Sequence, residues 1–399
     1  MASLPLELLL LVISSTADKR DYKSLRNLSL ACSAFRQPSQ SLLLSHIQVA
    51  ITHSRHPGST APPGERLLEL LSSTSRIVSY VKFITMFDPE PRWAGWVAND
   101  RKLARALDQL DLTKIEGLAL ICSDHGTYGL LDECLRATIV RICESPSLLI
   151  FSLSGAPLRL IWACGPSLKH FRVGNSFLGG QGIEADIPSF RESQVVSLDS
   201  LQFDRHFFPV SALQFILRHP PAIRVDQLRT LHLIMTTGHE DEDIWMGSLV
   251  KKCQNSLISL KLVPHVYSFS RGESAFRRFP DCPNLTTLEI EVNMTDLASD
   301  CLQGTVSFLE RLSPSNAIQA LRLGLDLSLH TWRSITRVWG GIWSAELRRI
   351  GNCVTLGFPH LRTVAVEIHT LDPDDLQAIR IWVVEALAIP PETGLLDVA

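Results

Sequence analysis

This sequence of 399 residues lacks paired cysteines, a strong net charge and a long apolar run. None of its nine cysteines forms a C-x-x-C pair, which argues against zinc-ribbon and dithiol redox motifs. The formal net charge is only −3, so the composition gives no electrostatic signal for nucleic acid or acidic membranes. No apolar run approaches the roughly 20 residues that a membrane-spanning helix needs. We therefore expect a folded protein of the cytoplasm or nucleus, with reduced thiols, that binds neither nucleic acid nor membrane.

Motifs that mark enzymes and cofactor sites are missing as well. The sequence has no G-x-S-x-G, no H-E-x-x-H and no zinc-deaminase signature. The glycine-rich stretch 174–193 lacks the ending of a phosphate-binding loop, and the acidic residues 240–243 lack the spacing of a calcium loop. We predict a surface insertion for the first and the first turn of a helix for the second. We therefore predict a protein with no catalytic activity, cofactor or metal. The competing interpretation is a hydrolase or metal enzyme whose site lies in the sheet and carries no recognisable motif.

A repeated pattern runs through most of the chain. The template apolar-x-x-apolar-x-apolar, which is the strand signature of leucine-rich repeats, recurs at intervals that are close to 30 residues in the central part. Its first positions are Val78, Ile115, Leu148, Leu168, Leu198, Leu228, Leu257, Leu285, Ile318 and Leu361. Helical patterns lie between them, at 101–110, 131–143, 210–217, 245–252, 296–312 and 373–388. Strand and helix in alternation predict parallel strands on one side and helices on the other.

The fold class that follows is α/β: an irregular leucine-rich-repeat-like solenoid of parallel strands and helices over residues 76–399. The asparagine that usually follows the repeat strand is absent, so the repeats are degenerate, and a generic α/β sheet is the alternative. Trp332, Trp339 and Trp343 fall on one helical face, because they are spaced by seven and four residues. We expect this stripe to close the open end of the solenoid rather than to hold a ligand.

Alternate strand positions must point away from the core, and they predict a face of mixed charge that binds a protein. The positions on this face include Asp204, Glu291 and Glu367. The residues that we predict to contact a target protein are His170, Arg172, Gln202, His232, Lys261, Glu289 and Arg322. The identity of the target is not readable from these residues.

The first 46 residues carry more apolar surface than a three-helix unit of this size can bury alone. Pro5 suits the first turn of a helix that is apolar on nearly all sides up to Ile13, and Asp21 can cap a second helix. A signal peptide is disfavoured, because there is no basic leading segment and Glu7 interrupts the apolar run. The excess apolar surface therefore predicts cover by another protein or by the rest of the chain.

This N-terminal stretch resembles an F-box, in the version common in fungal F-box proteins with degenerate leucine-rich repeats. The Leu-Pro-x-Glu-Leu opening of that family is matched at residues 4–8, and its second segment by Leu25, Ser29, Leu30, Cys32 and Phe35, with Ala31 smaller than usual. The resemblance implies the substrate-recognition subunit of an SCF-type cullin-RING ubiquitin ligase. An SKP-type adaptor, and through it a cullin, would then dock on the apolar residues Leu4, Pro5, Leu8, Leu9, Leu25, Leu28 and Leu30.

The predicted layout has three parts: an F-box at 1–48, a linker and connecting helix at 49–75, and the repeat domain with a C-terminal cap at 76–399. In this arrangement the repeats bind a target for ubiquitin transfer, and the thioester chemistry belongs to other components. The alternative is a repeat scaffold outside any ligase, whose first helices merely cap the solenoid.

Overall fold

The strands within each part of this protein pair in parallel, and most connections between them are helical. The computed structural model describes residues 21–50, 62–88, 100–122, 127–174, 176, 195–204, 210–218, 222–235, 240–264, 280–293, 298–312, 316–327, 340–370, 374–390 and 393–398, without residues 32 and 74. The chain divides into two compact units. The first unit is Met1–Leu168 with Asn175–Val196, and the second is Lys169–Gly174 with Ser197–Ala399.

The first unit contains a parallel sheet of four strands among its described residues. The strands are β1 His46–Ala50, β2 Phe83–Asp88, β3 Gly117–Cys122 and β4 Ile150–Ser154. The helices are α1 Tyr22–Ala31, α2 Ser33–Leu43, α3 Pro63–Ser73, α4 Ser75–Val78, α5 Arg101–Leu107, α6 Thr127–Leu130 and α7 Glu133–Cys143, with 3-10 turns at Leu112–Lys114 and Leu158–Ala163. Ile84, Leu118 and Phe151 lie opposite one another on β2, β3 and β4 and are all buried. This row of apolar side chains is the core side of the sheet.

Two local features hold the helices of the first unit in place. The buried Asp100 caps α5 by accepting a hydrogen bond from the Lys102 N–H at 3.3 Å. The same carboxylate accepts one from the Gly64 N–H at 2.6 Å, which ties α3 to α5. Gly155, just after β4, has a φ of 67°, and a Cβ there would lie 2.3 Å from the Cys122 carbonyl oxygen. Only glycine fits both the left-handed backbone and that close approach.

The second unit contains a parallel sheet whose order follows the chain, β5 to β12. Its strands are β5 His170–Val173, β6 Ser200–Phe203, β7 Thr230–Met235, β8 Ser259–Pro264, β9 Thr287–Asn293, β10 Ala320–Asp326, β11 Thr363–His369 and β12 Leu396–Val398. Its helices are α8 Val210–Arg218, α9 Glu240–Cys253, α10 Ala298–Arg311, α11 Gly340–Gly357 and α12 Leu376–Leu387. Two-residue strands lie at Val196–Ser197 and Ile223–Arg224.

An apolar ladder forms the core of the second unit. It runs across the sheet in register and is fully buried, through Phe171, Leu201, Leu231, Leu260, Leu288, Leu321 and Val364. These residues occupy the same template position in successive repeats, so the repeat pattern itself sets the register of the strands. Because each strand buries one face, sliding a strand by one residue would turn its apolar side chains to solvent.

The prediction of parallel strands alternating with helices is confirmed, with two corrections of detail. Val78 was placed on a strand, but it ends the short helix α4, and the strand begins at Phe83. The residues on either side of the predicted F-box boundary form β1, which pairs with β2, so residue 48 lies inside a strand. The strand β12 was not predicted.

Trp343 lies fully buried in α11, and its ring stands 6.4 Å from that of Trp382 in α12. This burial agrees with packing as the role of Trp343, whereas Trp332 and Trp339 lie outside the described residues. Gly351 of α11 lies close to the Leu387 carbonyl oxygen of α12, where a Cβ would stand 1.8 Å away. Across the described residues, no helix has both the length and the apolarity that a membrane crossing requires.

Candidate functional site

The side of the second sheet opposite the apolar ladder carries polar side chains in rows, and we call it the polar face. Its central row passes in register through Arg172, Gln202, His232, Lys261, Glu289, Arg322 and Ala365. Six of the seven residues predicted to bind a target therefore stand side by side on six neighbouring strands. The seventh, His170, lies one row away, opposite Ser200, and that second row continues through Thr230, Ser259, Thr287, Ala320 and Thr363.

The charged side chains of the polar face pair across strands. The Lys261 ammonium contacts the Glu289 carboxylate on the next strand, and it lies 3.2 Å from Oε2 of Glu291. All three side chains are largely buried, with 29%, 27% and 12% of their surface exposed. Few water molecules can therefore screen this triad, and its attraction is stronger than that of an ordinary surface pair.

Two further ion pairs stand on either side of the triad. The Arg172 guanidinium on β5 donates a hydrogen bond to the Asp204 carboxylate that follows β6. Burial nevertheless raises the pKa of Asp204 above its usual value, because desolvation outweighs the hydrogen bond from Arg172. Toward the other end of the sheet, Nη1 of Arg322 lies 4.0 Å from Oε1 of Glu367, beyond hydrogen-bonding distance. Glu367 thus keeps much of its capacity to accept hydrogen bonds.

The charge of the polar face is uneven. From β8 to β12 its described cations are Lys261 and Arg322, and its described carboxylates are Glu289, Glu291, Asp326, Glu367 and Asp397. Two cations against five carboxylates leave a surplus of three negative charges on this half. On β5 to β7 the Arg172 and Asp204 charges offset each other. The acidic half is therefore the more distinctive part of the face.

The Glu291 side chain lies against a glycine within the acidic half. Gly324 on β10 lies in register between Glu291 on β9 and Glu367 on β11. Gly324 is buried, and a Cβ there would stand 3.2 Å from Cγ of Glu291. Gly324 is therefore covered, and it leaves no open cleft between the two carboxylates.

The sheet of the first unit presents a different surface. The corresponding row there reads Gln48, Thr85, Ala119 and Ser152, which are uncharged and mostly small. The His46 ring nitrogen Nε2 and the Thr85 hydroxyl form a hydrogen bond of 2.8 Å at its edge. The second sheet therefore has charged side chains that can complement a charged partner, whereas this row of the first sheet has none.

The N-terminal helices show which predicted adaptor residues face solvent. On α1, Leu25 is 1% exposed and Leu28 is half-buried, whereas Leu30 is 72% exposed. The buried Ser29 is satisfied locally, since its hydroxyl donates to the Arg26 carbonyl at 2.7 Å. Tyr22, two turns before Leu30, is 56% exposed. The predicted residues Leu4, Pro5, Leu8 and Leu9 lie outside the described part of the chain.

The cysteines offer no activated nucleophile among the described residues. Seven cysteines whose side chains the structure describes are free thiols, and five of these seven are buried. Burial raises the pKa of Cys253 to about 12 and that of Cys282 to about 11. A thiol with such a pKa stays protonated and unreactive near neutral pH. Within the residues that the structure covers, no group of three or more His, Cys, Asp and Glu side chains is arranged to hold a metal ion.

Comparison with known proteins adds little to this picture. No protein-family model matches the chain, and no curated protein matches it. One similar solved structure is a structural-genomics crystal structure of a Bacteroides fragilis protein, at 13% sequence identity. The match covers 83% of this chain and 71% of that one, with a TM-score of 0.33.

Proposed function

We propose that this chain is a substrate-recognition subunit of an SCF-type ubiquitin ligase. In this proposal the degenerate leucine-rich-repeat solenoid holds a target protein on the polar face, and the N-terminal helices dock an SKP-type adaptor that leads to a cullin. The subunit carries no catalysis and acts in the cytoplasm or nucleus. The observation that carries the proposal is the in-register row from Arg172 to Arg322, which gathers six of the seven predicted target-binding residues.

The dimensions of the row favour a protein as the ligand. Strands in a sheet lie about 4.8 Å apart, so a row from β5 to β10 extends about 24 Å. That length exceeds a small metabolite and suits an extended segment or a surface of another protein. Parallel arrays of repeats commonly bind proteins across such a face.

Support for the adaptor contact comes from the exposure of apolar side chains on α1. Tyr22, Arg26 and Leu30 recur every four residues and share one side of the helix, while Leu25 and Ser29 occupy the buried side. An exposed leucine and an exposed tyrosine on one side of a helix form the kind of surface that a partner would cover. Leu30 is therefore the residue of choice for testing the contact.

The test is retention of a purified SKP-type adaptor by the full-length chain, with Leu30→Asp as the perturbation. Leu356→Asp is the matched control, because Leu356 is an 85% exposed leucine on α11, in the other unit. We expect the wild-type protein and Leu356→Asp to retain the adaptor, and Leu30→Asp to lose at least about tenfold in affinity, since a desolvated carboxylate would oppose docking. Failure of the wild type to bind the adaptor, or unchanged binding by Leu30→Asp, would overturn the ligase assignment. The alternative, a repeat scaffold outside any ligase, would then be favoured.

A further inference from the structure

We propose that the sheet of the first unit binds, on the side opposite its buried core, an extended protein segment that carries bulky apolar side chains. We call this side the first-sheet face. Its positions form three rows in register, which are His46, Phe83, Gly117 and Ile150; Gln48, Thr85, Ala119 and Ser152; and Ala50, Phe87, Ile121 and Ser154. The inference goes beyond the proposed function, which places a target on the polar face of the second sheet.

Large apolar side chains on the first-sheet face remain open to solvent. Four of them are half-buried or exposed, and these are Phe83, Phe87, Ile121 and Ile150. Ile150 is the most open of the four, with 41% of its surface exposed. The Phe83 ring fills the space that a Cβ on Gly117 would take, and its edge-on contact with the His46 ring has a centroid distance of 6.3 Å. The first row is thus a continuous wall of rings and aliphatic groups, and exposed apolar patches mark interaction sites.

The dimensions of the first-sheet face suit one extended polypeptide. The middle row has the short side chains Thr85, Ala119 and Ser152, while the four large apolar side chains stand in the rows on either side. These outer rows are four residues apart along each strand, which is about 13 Å. The four strands span about 14 Å, the length of four or five extended residues. The Ser152 hydroxyl and the Gln48 amide can form hydrogen bonds with the backbone of a segment lying between the outer rows.

Charge and area decide what occupies the face. Its twelve positions include no Asp, Glu, Lys or Arg, so a charged segment would lose hydration there without gaining an ion pair. A face of about 14 Å by 13 Å covers roughly 180 Å². Each partner in a stable dimer contributes about 800 Å², so the face is too small to hold a second copy of the chain by itself. A short neutral segment with apolar side chains fits both the charge and the size.

The experiment uses the full-length protein and a fluorescent hexapeptide that alternates leucine with serine, with the asparagine–serine peptide as the reference. Fluorescence anisotropy should show tighter binding of the leucine peptide, and this binding should persist as salt is raised, because no ion pair contributes to it. Ile150→Asp should weaken it by about tenfold, since the new carboxylate would be desolvated. Leu149→Asp is the matched control and should change binding by less than about twofold. Leu149 is also 41% exposed, and successive side chains of an extended chain point to opposite sides.

A second variant keeps the test valid if Ile150→Asp disturbs folding. Ser152→Trp fills the middle row without adding charge and should also weaken binding of the leucine peptide by about tenfold. No binding by the wild type, equal binding of both peptides, or unchanged binding by either folded variant would overturn the inference. A wild-type dimer in sedimentation velocity that Ile150→Asp dissociates would overturn it too, because a second copy would then occupy the face. Adaptor binding through Leu30 and target binding on the polar face use other surfaces, so their failure is distinguishable from failure of this inference.

Discussion

Replacement of Lys261 by methionine is the most direct perturbation of the polar face. Methionine keeps most of the length and apolar stem of lysine but removes the ammonium group. The carboxylates of Glu289 and Glu291 would then lose their shared cation while remaining largely buried, at 27% and 12% exposure. We expect the folded state to lose stability, because each carboxylate loses an attraction that had offset part of its desolvation.

The size of the effect follows from distance and burial. At 3.2 Å and an effective dielectric constant near 20, a unit charge pair attracts by about 5 kcal/mol before any desolvation is counted. Exposed pairs contribute about 0.2–1 kcal/mol after these costs, and breaking fully buried pairs costs about 3–5 kcal/mol. The triad lies between these cases. We therefore expect Lys261→Met to lower the free energy of unfolding by about 2 kcal/mol.

The assay is a double-mutant cycle of Lys261→Met and Glu291→Gln, measured by urea unfolding with tryptophan fluorescence. Hydrogen exchange on Ser259–Pro264 and Thr287–Asn293 would report the same loss locally. The local measurement is needed because the chain divides into two compact units, so a single global transition cannot be assumed. The double variant should cost about 1 kcal/mol less than the sum of the two single variants. If Lys261→Met costs less than about 0.5 kcal/mol, or if the two substitutions are strictly additive, the triad does not stabilise the folded state as proposed.

Two other predictions concern the interior. Leu201→Ala, in the buried apolar ladder, should lower the free energy of unfolding by about 3 kcal/mol, whereas Leu356→Ala, at an 85% exposed position, should change it by less than about 0.5 kcal/mol in the same urea titration. Since the pKa of Cys253 is raised to about 12 and that of Cys282 to about 11, their contribution to stability is fully present below the unfolded thiol pKa, near 9.0, and is lost as the pH rises toward 11–12. Urea unfolding between pH 8 and pH 10.5 should show that the free energy of unfolding declines as the pH rises. Cys253→Ala should make this decline shallower, and equal slopes for the wild type and the variant would contradict the prediction.

The strands of the second unit were predicted well from the sequence, because the apolar template that identifies each strand also sets its register with the next. Leu201, Leu231 and Leu260 occupy one template position, and burial on one side of the sheet requires them to stand in register. The pairing of Lys261 with Glu289 and Glu291 was not predictable, since it depends on side-chain directions across two strands. All three residues are predicted to lie on one face, but nothing in the sequence indicates that their side chains meet.

Features that depend on contacts between residues distant in the sequence were not predicted correctly. The strand Leu396–Val398 has three residues and no repeat of its own, and only its pairing with β11 defines it, so Asp397 was not recognised as part of the face. Val78 fits the strand template by chance at the end of α4. On α1, apolar residues were grouped as one docking surface, although helical geometry turns Leu25 inward and Leu30 outward.

We propose that one surface of this protein holds a target while another docks the ligase adaptor. The most direct measurement is quantitative affinity purification of three full-length proteins: wild type, Leu30→Asp, and Arg172→Glu combined with Lys261→Glu. We predict that Leu30→Asp loses the SKP-type adaptor but keeps the target, and that the polar-face variant loses the target but keeps the adaptor. Loss of both partners in either folded variant, or of neither in both, would contradict a division of the chain into an adaptor surface and a target surface.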